Sequence, residues 1–325
     1  MSLLQVVGGQ WAIEPAKLVE ISSIYGAHLR REKPDIAAIE ARLGKALNNE
    51  PARYTVRGGV AILPLQGLIA KKMNMLMQVS GGTSSQLFAQ AIQTALRDPT
   101  VHSIVLDIDS PGGTVDGTQA LADVVFGARS SGKSIVALGS GAMCSAAYWI
   151  ASAAQHVYVA DDTTAVGSIG VVTSHTDVSG AEAAQGIKTT ELSAGKYKRI
   201  ASQYSPLTSD GRKSIQESLD YTYSIFVDAV AKNRNVSTAL VLLDMADGRV
   251  FIGKQAVQAG LVDGVMSMDQ LVHKLINERK GGPSITTAVA KPLTRDELHN
   301  TAVEYVKAHP GTDYVTAVKR FEHLQ

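Results

Sequence analysis

A chain of 325 residues with 31 basic and 30 acidic side chains carries a formal net charge of +1, which removes any bulk electrostatic case for a nucleic-acid or anionic-membrane partner. Hydrophobic residues make up 45% and charged residues 19%, ordinary values for a globular protein of one large or two medium domains with an ample core. The single cysteine, Cys144, excludes an intrachain disulfide and a cysteine-based metal cluster.

The first residues lack the basic, apolar and small-residue order of a signal peptide, because Glu14, Lys17 and Glu20 interrupt them early. Leu18, Ile21, Ile24 and Leu29 fall near a 3.6-residue period, so 15–47 is predicted helical, with Pro34 as a break. Asn48-Asn49-Glu50-Pro51 reads as a linker. From Tyr54 the pattern turns α/β. Strand 60–65 leads to a Met-rich stretch at 72–78 and a loop at 80–83. Helix 84–96 follows, with Phe88, Ile92 and Leu96 on one face, then strand 103–109 and helix 115–128. Strand 134–138, helix 145–153 and strand 156–160 come next. This alternation predicts a largely parallel sheet with right-handed crossovers.

A long helix at 209–233, a short segment at 247–252, a helix at 253–259 and a closing element at 262–265 complete the core. Residues 280–292 form a predicted linker, and 294–325 two short amphipathic helices split by His309-Pro310-Gly311. The expected organisation is a helical extension over 1–50, an α/β domain over 51–280, and a linker with a short helical tail over 281–325. Residues 134–160 are apolar enough to mimic a membrane span. Gly139, Ser140, Gly141 and Ser145 divide that run into strand, turn and helix, so a soluble, cytoplasmic chain is expected.

Chemistry concentrates in two loops. Gly141-Ala142-Met143-Cys144-Ser145-Ala146-Ala147-Tyr148-Trp149-Ile150-Ala151 places Ser145 between an apolar strand and a helix of small and apolar residues. Such a junction lifts a hydroxyl to a helix N-terminus, where backbone N–H groups favour a developing anion. Upstream, Asp109-Ser110-Pro111-Gly112-Gly113 follows strand 103–109, and two glycines after a proline let the backbone turn N–H groups outward, as an oxyanion site needs. Together the loops point to serine acyl transfer, with a peptidase as the leading reading.

A serine hydroxyl needs a base. Of the eight histidines, only His156 and His175 lie shortly after Ser145 within the α/β core, and neither sits in a glycine-rich catalytic turn. Both read as surface or structural side chains. A lysine serves instead where burial lowers its pKa from about 10.4 toward roughly 7–8, a cost of about 4 kcal/mol. Lys196 and Lys198 stand in Ser193-Ala194-Gly195-Lys196-Tyr197-Lys198-Arg199, which alone would be a solvated basic loop. Cys144, beside Ser145, reads as a small buried hydrophobe. Asp107 and Asp109 point the same way on one strand and are expected to accept turn N–H groups rather than a metal. Met73, Met75 and Met77 read as core filler or a helix contact.

The ordered blocks resemble the signal peptide peptidase A family, serine–lysine peptidases with a ClpP-like (crotonase-type) fold. They are Asp-Ser-Pro-Gly-Gly at 109–113, the Ser145 turn, Gly167-Ser168-Ile169-Gly170-Val171, Gly195-Lys196-Tyr197-Lys198 with Ser205-Pro206, and Ala246-Asp247-Gly248-Arg249-Val250 with 256–263, covering about 58–275. The resemblance implies Ser145 as nucleophile, Lys198 as general base and Ser168 as the hydroxyl that orients the lysine. It further implies an oxyanion hole from the N–H of Gly112 or Gly113 with that of Ala146. Substrate would lie as a strand beside Gly113, Thr114 and Val115, and a narrow pocket of Met143, Ala146 and Ala147 would favour small or apolar residues at the cut.

Ala146-Ala147 replaces the paired glycines common after the family's nucleophile, and Arg199 stands where an acidic residue is frequent. No metal, nucleotide or other cofactor is expected. The helical preface, with no N-terminal membrane anchor, is similar to the family's phage-encoded branch, the capsid-assembly proteases of the lambda C type. That branch implies peptide or protein substrates, portal or capsid partners and a place within the procapsid. The family implies a ring-like homo-oligomer, an octamer by expectation, in which the lysine can come from a neighbouring subunit. Other readings stay open: a host peptidase degrading signal peptides, a catalytically silent capsid component, or a crotonase-type acyl-CoA enzyme.

Overall fold

The computed structural model describes residues 10–13, 54–72, 82–279 and 305. The helices expected over 15–47, the linker at 48–51, Met73, Met75 and Met77, the linker at 280–292 and all of the tail but Tyr305 lie outside the described residues.

The first strands are Trp11–Ile13 (β1), Thr55–Arg57 (β2), Val60–Gln66 (β3), Leu68–Ala70 (β4) and Gly82–Ser84 (β5). Helix Ser85–Arg97 (α1) follows, then Ser103–Ser110 (β6), Gly112–Thr114 (β7) and Thr118–Ala128 (α2). Next come Ser134–Cys144 (β8), Ala146–Ser152 (α3), His156–Val159 (β9), Ala165–Gly167 (β10) and Ser179–Ala184 (α4). The chain continues through Ser209–Arg234 (α5), Thr238–Asp244 (α6), Val250–Ile252 (β11), Lys254–Gln258 (α7), Gly264–Val265 (β12) and Met268–Arg279 (α8).

The expected α/β architecture with a parallel core and crossover helices is what the chain builds. The large sheet runs β11-β10-β8-β6-β3-β2, with β9 on β8 and β12 on β9. The pairs β3–β6, β6–β8, β8–β9 and β8–β10 are parallel. Strand β8 changes partner along its length: residues 136–139 pair with β9 and residues 142–144 with β10. The second sheet, β1-β7-β4-β5, is small and lies over the carboxyl end of β6.

Two apolar layers enclose the large sheet. Alternate residues of β3 and β6 (Ala61, Leu63, Ile104, Leu106, Ile108) join the main core with Phe88 and Ile92 of α1, Leu121 and Val125 of α2, Trp149 of α3 and Phe226 of α5. Their neighbours Val60, Ile62 and Val105 face the other way, against Leu271, Val272 and Leu275 of α8. Each fully buried Leu, Ile or Phe contributes roughly 1.5–3 kcal/mol. Helix α1 forms because Phe88, Ala91, Ile92 and Ala95 fall on one buried face and Ser84 caps it, its hydroxyl accepting the Leu87 N–H.

Three sequence expectations need correction. The strand predicted to end at 138 runs on to Cys144, because a register shift between Ile108 and Ser110 lets Ser140, Gly141 and Ala142 bulge between the Ile108↔Gly139 pair and the Ser110↔Met143 pair. The helix predicted from 115 starts at Thr118, since Gly112–Thr114 is a strand and Gly117 takes a left-handed φ of 87°. Trp11–Ile13, inside the stretch expected to be a helical extension, is a strand of the small sheet.

Candidate active site

Ser145 stands where β8 ends and α3 begins, and the two elements oblige it to take φ 54°, ψ −118°. Few non-glycine residues adopt such a backbone, which costs of order 1–3 kcal/mol unless the surroundings over-determine it. They do. The Ser145 N–H donates to the Gly167 carbonyl (2.7 Å) and the Ser145 carbonyl accepts the Trp149 N–H (2.9 Å). Trp149 stacks on Phe226 with ring centroids 4.4 Å apart. At the far end of α3, the Arg129 guanidinium donates to the carbonyls of Ser152, Ala153, Ala154 and Asn233, tying α3 to the end of α5. Ser145 itself is fully buried, and its Oγ has no hydrogen-bond partner among the described residues.

Strand β7 passes in front of this serine, between β1 and β4. Ser110 shapes its entry: the hydroxyl donates to the Gly67 carbonyl (2.6 Å) and accepts the Gly112 N–H (3.1 Å). Of the two glycines proposed as oxyanion donors, Gly112 therefore has its N–H engaged, and Gly113 is the one whose N–H faces β1. Gly112 adopts φ 105°, and a Cβ there would stand 3.0 Å from the Ser145 Cβ. At Gly113 an added Cβ would fall 1.9 Å from the Ile69 carbonyl oxygen, so β4 leaves room only for hydrogen. Ala146 opens α3, where first-turn N–H groups have no intrahelical acceptor. Met143, Ala146 and Ala147 are completely buried in the main core, while Thr114 and Val115 are half-buried on and beyond β7.

Ser168 follows β10 as Ser145 follows β8, and the parallel register Gly167↔Cys144 sets the two serines side by side. Ser168 is also held at positive φ, 51°, with its N–H on the Arg249 carbonyl (2.8 Å). Lys198 is elsewhere. It is exposed, in a solvated segment whose residues 192–199 are all exposed, and it does not bond Ser145 within one chain. That segment has a fold of its own: Arg199 pairs with Glu191, which also accepts the Ser202 hydroxyl, so the positive charge after Lys198 is matched.

The histidines take the structural roles expected of them. His175 Nε2 bonds the Ser202 carbonyl (2.8 Å), and His156 stands 3.5 Å from Asp263. Asp109 accepts the Ala142 N–H (2.9 Å) as expected, whereas Asp107 Oδ1 is buried without a partner among the described residues. Cys144 is buried at the end of β8. Among the described residues no group of three or more His, Cys, Asp or Glu is placed to hold a metal, and no helix is long and apolar enough to cross a membrane. Sequence reasoning gave no role to Ser110, although a serine before two turn N–H groups is a recognisable acceptor. It also gave none to Arg129, for which no local signal exists.

A site of this kind presents a buried hydroxyl on a rigid corner, a second serine in register on the neighbouring strand and a glycine strand edge within reach, which suits attack on a carbonyl carbon. Residues 127–281 match the family model Peptidase family S49. Capsid assembly protease C of Escherichia phage lambda is 34% identical over 214 residues, 66% of this chain and 48% of that protein. Head-tail preconnector protein GP5 of Enterobacteria phage P21 is 32% identical over 223 residues, 68% of this chain and 44% of that protein. A putative signal peptide peptidase SppA of Enterococcus faecium is 27% identical over 238 residues, 72% of this chain and 69% of that protein. The chain carries a Peptidase family S49 domain. It spans less than half the length of the two phage relatives.

Proposed function

We propose that this chain is a serine endopeptidase that cuts extended peptide segments through Ser145, with Lys198 of a neighbouring copy as general base. The observation that carries the reading is the Ser145 hydroxyl, buried, without a partner among the described residues and held on a strained corner beside the Gly113 edge. Strain of this type persists where a nucleophile must be aimed. The lysine would take the hydroxyl proton as Ser145 attacks the carbonyl carbon, and Ser168, alongside, would orient the amine. The N–H groups of Gly113 and Ala146 would receive the oxyanion, each such donor being worth roughly 10²–10³ in rate. The proton then passes to the leaving amine, and water hydrolyses the acyl-enzyme.

Exposure supports placing the base on another copy. A lysine works as a base only when desolvated, and Lys198 lies on an exposed segment with Leu192 and Tyr197 uncovered beside it. A ring-like homo-oligomer would bury that segment against the next subunit's site. The two phage relatives support a role in procapsid maturation on portal, capsid or scaffold protein, and the family match supports peptide rather than acyl-CoA chemistry. The test is covalent labelling by a serine-directed phosphonate. Labelling of the wild type at Ser145, none in Ser145→Ala, and labelling slowed at least 100-fold in Lys198→Ala is the expected result. Equal labelling of all three, or reaction at another residue, ends the proposal.

A further inference from the structure

The groove in front of Ser145 is filled by the chain's own residues 10–13. Strand β1 lies antiparallel to β7 with Trp11↔Thr114, Ala12↔Gly113 and Ile13↔Gly112 in register. Its other edge bonds Val172 in both directions, Trp11 N–H to Val172 carbonyl at 2.9 Å and Val172 N–H to Trp11 carbonyl at 2.8 Å. The Gln10 side chain is clamped by α5, donating to Ser218 Oγ (2.6 Å) and accepting from Thr222 Oγ1 (2.6 Å). Trp11, Ala12 and Ile13 are 1%, 0% and 3% exposed. A four-residue segment bonded on both edges and anchored at one side chain is bound as a peptide is bound by strand addition.

The register fixes which peptide bond faces the hydroxyl. The Val115 N–H donates to the Gln10 carbonyl (3.3 Å), so Gln10 and Val115 are a bonded antiparallel pair. The alternation of such ladders makes Ala12 and Gly113 the next bonded pair, and turns Trp11 to Val172 instead. The Ala12 carbonyl thus lies on the Gly113 N–H, the donor left open once Ser110 has taken that of Gly112. The same spot touches the nucleophile: from a point one Cβ bond off Gly112, the Ala12 oxygen is 2.3 Å and the Ser145 Cβ 3.0 Å away. The Ala12 methyl belongs to the buried cluster that includes Met143, Ala146 and Ala147.

We infer that the Ala12–Ile13 peptide bond is an own-chain substrate of this site, cut to leave Ile13 as a new N-terminus; this rests on the peptidase reading above. In the step, Ser145 Oγ bonds the Ala12 carbonyl carbon and its proton goes to the Lys198 amine of a neighbouring copy. The carbon–nitrogen bond to Ile13 breaks and that proton moves to the Ile13 nitrogen. Water then cleaves the ester, restoring the hydroxyl and leaving a carboxylate on Ala12. The preferred substrate is accordingly an extended segment with a small residue on the acyl side, a large aromatic before it and an amide side chain before that.

The experiment follows the intact mass and N-terminal sequence of the full chain over time, with denatured casein as an external substrate in the same preparation. Wild type should lose residues 1–12, Ser145→Ala should stay whole, and Ala12→Trp, too large for the buried position, should be processed at least tenfold more slowly. Casein cleavage by a chain that keeps its 12–13 bond overturns this inference and leaves the peptidase reading standing. A chain that neither cuts casein nor reacts with the phosphonate loses both.

Discussion

Replacing Gly113 by alanine tests the geometry of the β7 edge most directly. The added methyl would sit 1.9 Å from the Ile69 oxygen, 2.6 Å from its carbonyl carbon and 2.8 Å from its Cα. Ordinary contact begins near 3.4 Å, so the two backbones must part by about 1.5 Å, the difference between 3.4 and 1.9. Strand β4 cannot yield that distance freely. Gly67, just before it, donates to the Asp109 carbonyl (2.9 Å) and accepts the Ser110 hydroxyl (2.6 Å), and β4 is paired on its far side to β5. Overpacking against fixed atoms costs about 1–3 kcal/mol, which for a domain of this size lowers Tm by roughly 2–12 °C. The catalytic cost is larger. A Gly113 N–H moved by an ångström no longer meets an oxyanion, and loss of one such donor lowers kcat by about 10²–10³. Thermal unfolding and steady-state peptide hydrolysis measure the two separately. A Gly113→Ala protein that is folded and within threefold of wild-type kcat refutes the assignment of this edge to transition-state binding.

Three further outcomes follow. Ser145→Ala and Lys198→Ala, each inactive alone, should restore about a quarter of wild-type hydrolysis when refolded together at equal amounts, since half the serines meet half the lysines across each contact; no recovery in mixed rings places both groups on one chain. Ser110→Ala leaves the Gly112 N–H and the Gly67 carbonyl without their partner, so stability should fall about 1–3 kcal/mol by denaturant titration and kcat about 10- to 100-fold with KM little changed. For Asp263, burial opposes the charge, but the His156 ring, the Arg234 guanidinium and the Val157 N–H outweigh it and hold the carboxyl well below the usual carboxylate range. Its stabilisation is therefore complete above the unfolded value of about 3.9 and lost as pH falls toward the folded one. Asp263→Asn should cost about 2–4 kcal/mol at neutral pH and flatten the acid limb of the stability profile; an unchanged limb counts against the pairing.

Much of this was legible in the chain because the signals are local. The crowd of small residues from Gly141 to Ala147 suits a tight corner, and the apolar runs Ile104–Leu106 of β6 and Ile135–Leu138 of β8 mark strands buried on both faces. What could not be read is long-range or combinatorial. Nothing near Trp11 announces that it will pair across to Thr114 and Val172. β8 runs past the end that Gly139, Ser140 and Gly141 suggest, because the extra length is absorbed as a bulge rather than a turn. The Ser110 hydroxyl's acceptance of the Gly112 N–H is local, but its donation to the Gly67 carbonyl, 43 residues away, leaves no mark in the sequence. Lys198 is the instructive case: motif order nominates it, yet a single chain leaves it in water.

Under the proposed two-copy dyad, that separation would make dilution a safety catch. With a buried hydroxyl on one molecule and an exposed amine on the next, turnover per subunit would climb steeply with copy number and vanish in sparse solution. Confinement of many copies in a small shell would then itself be the trigger, with no activator supplied from outside.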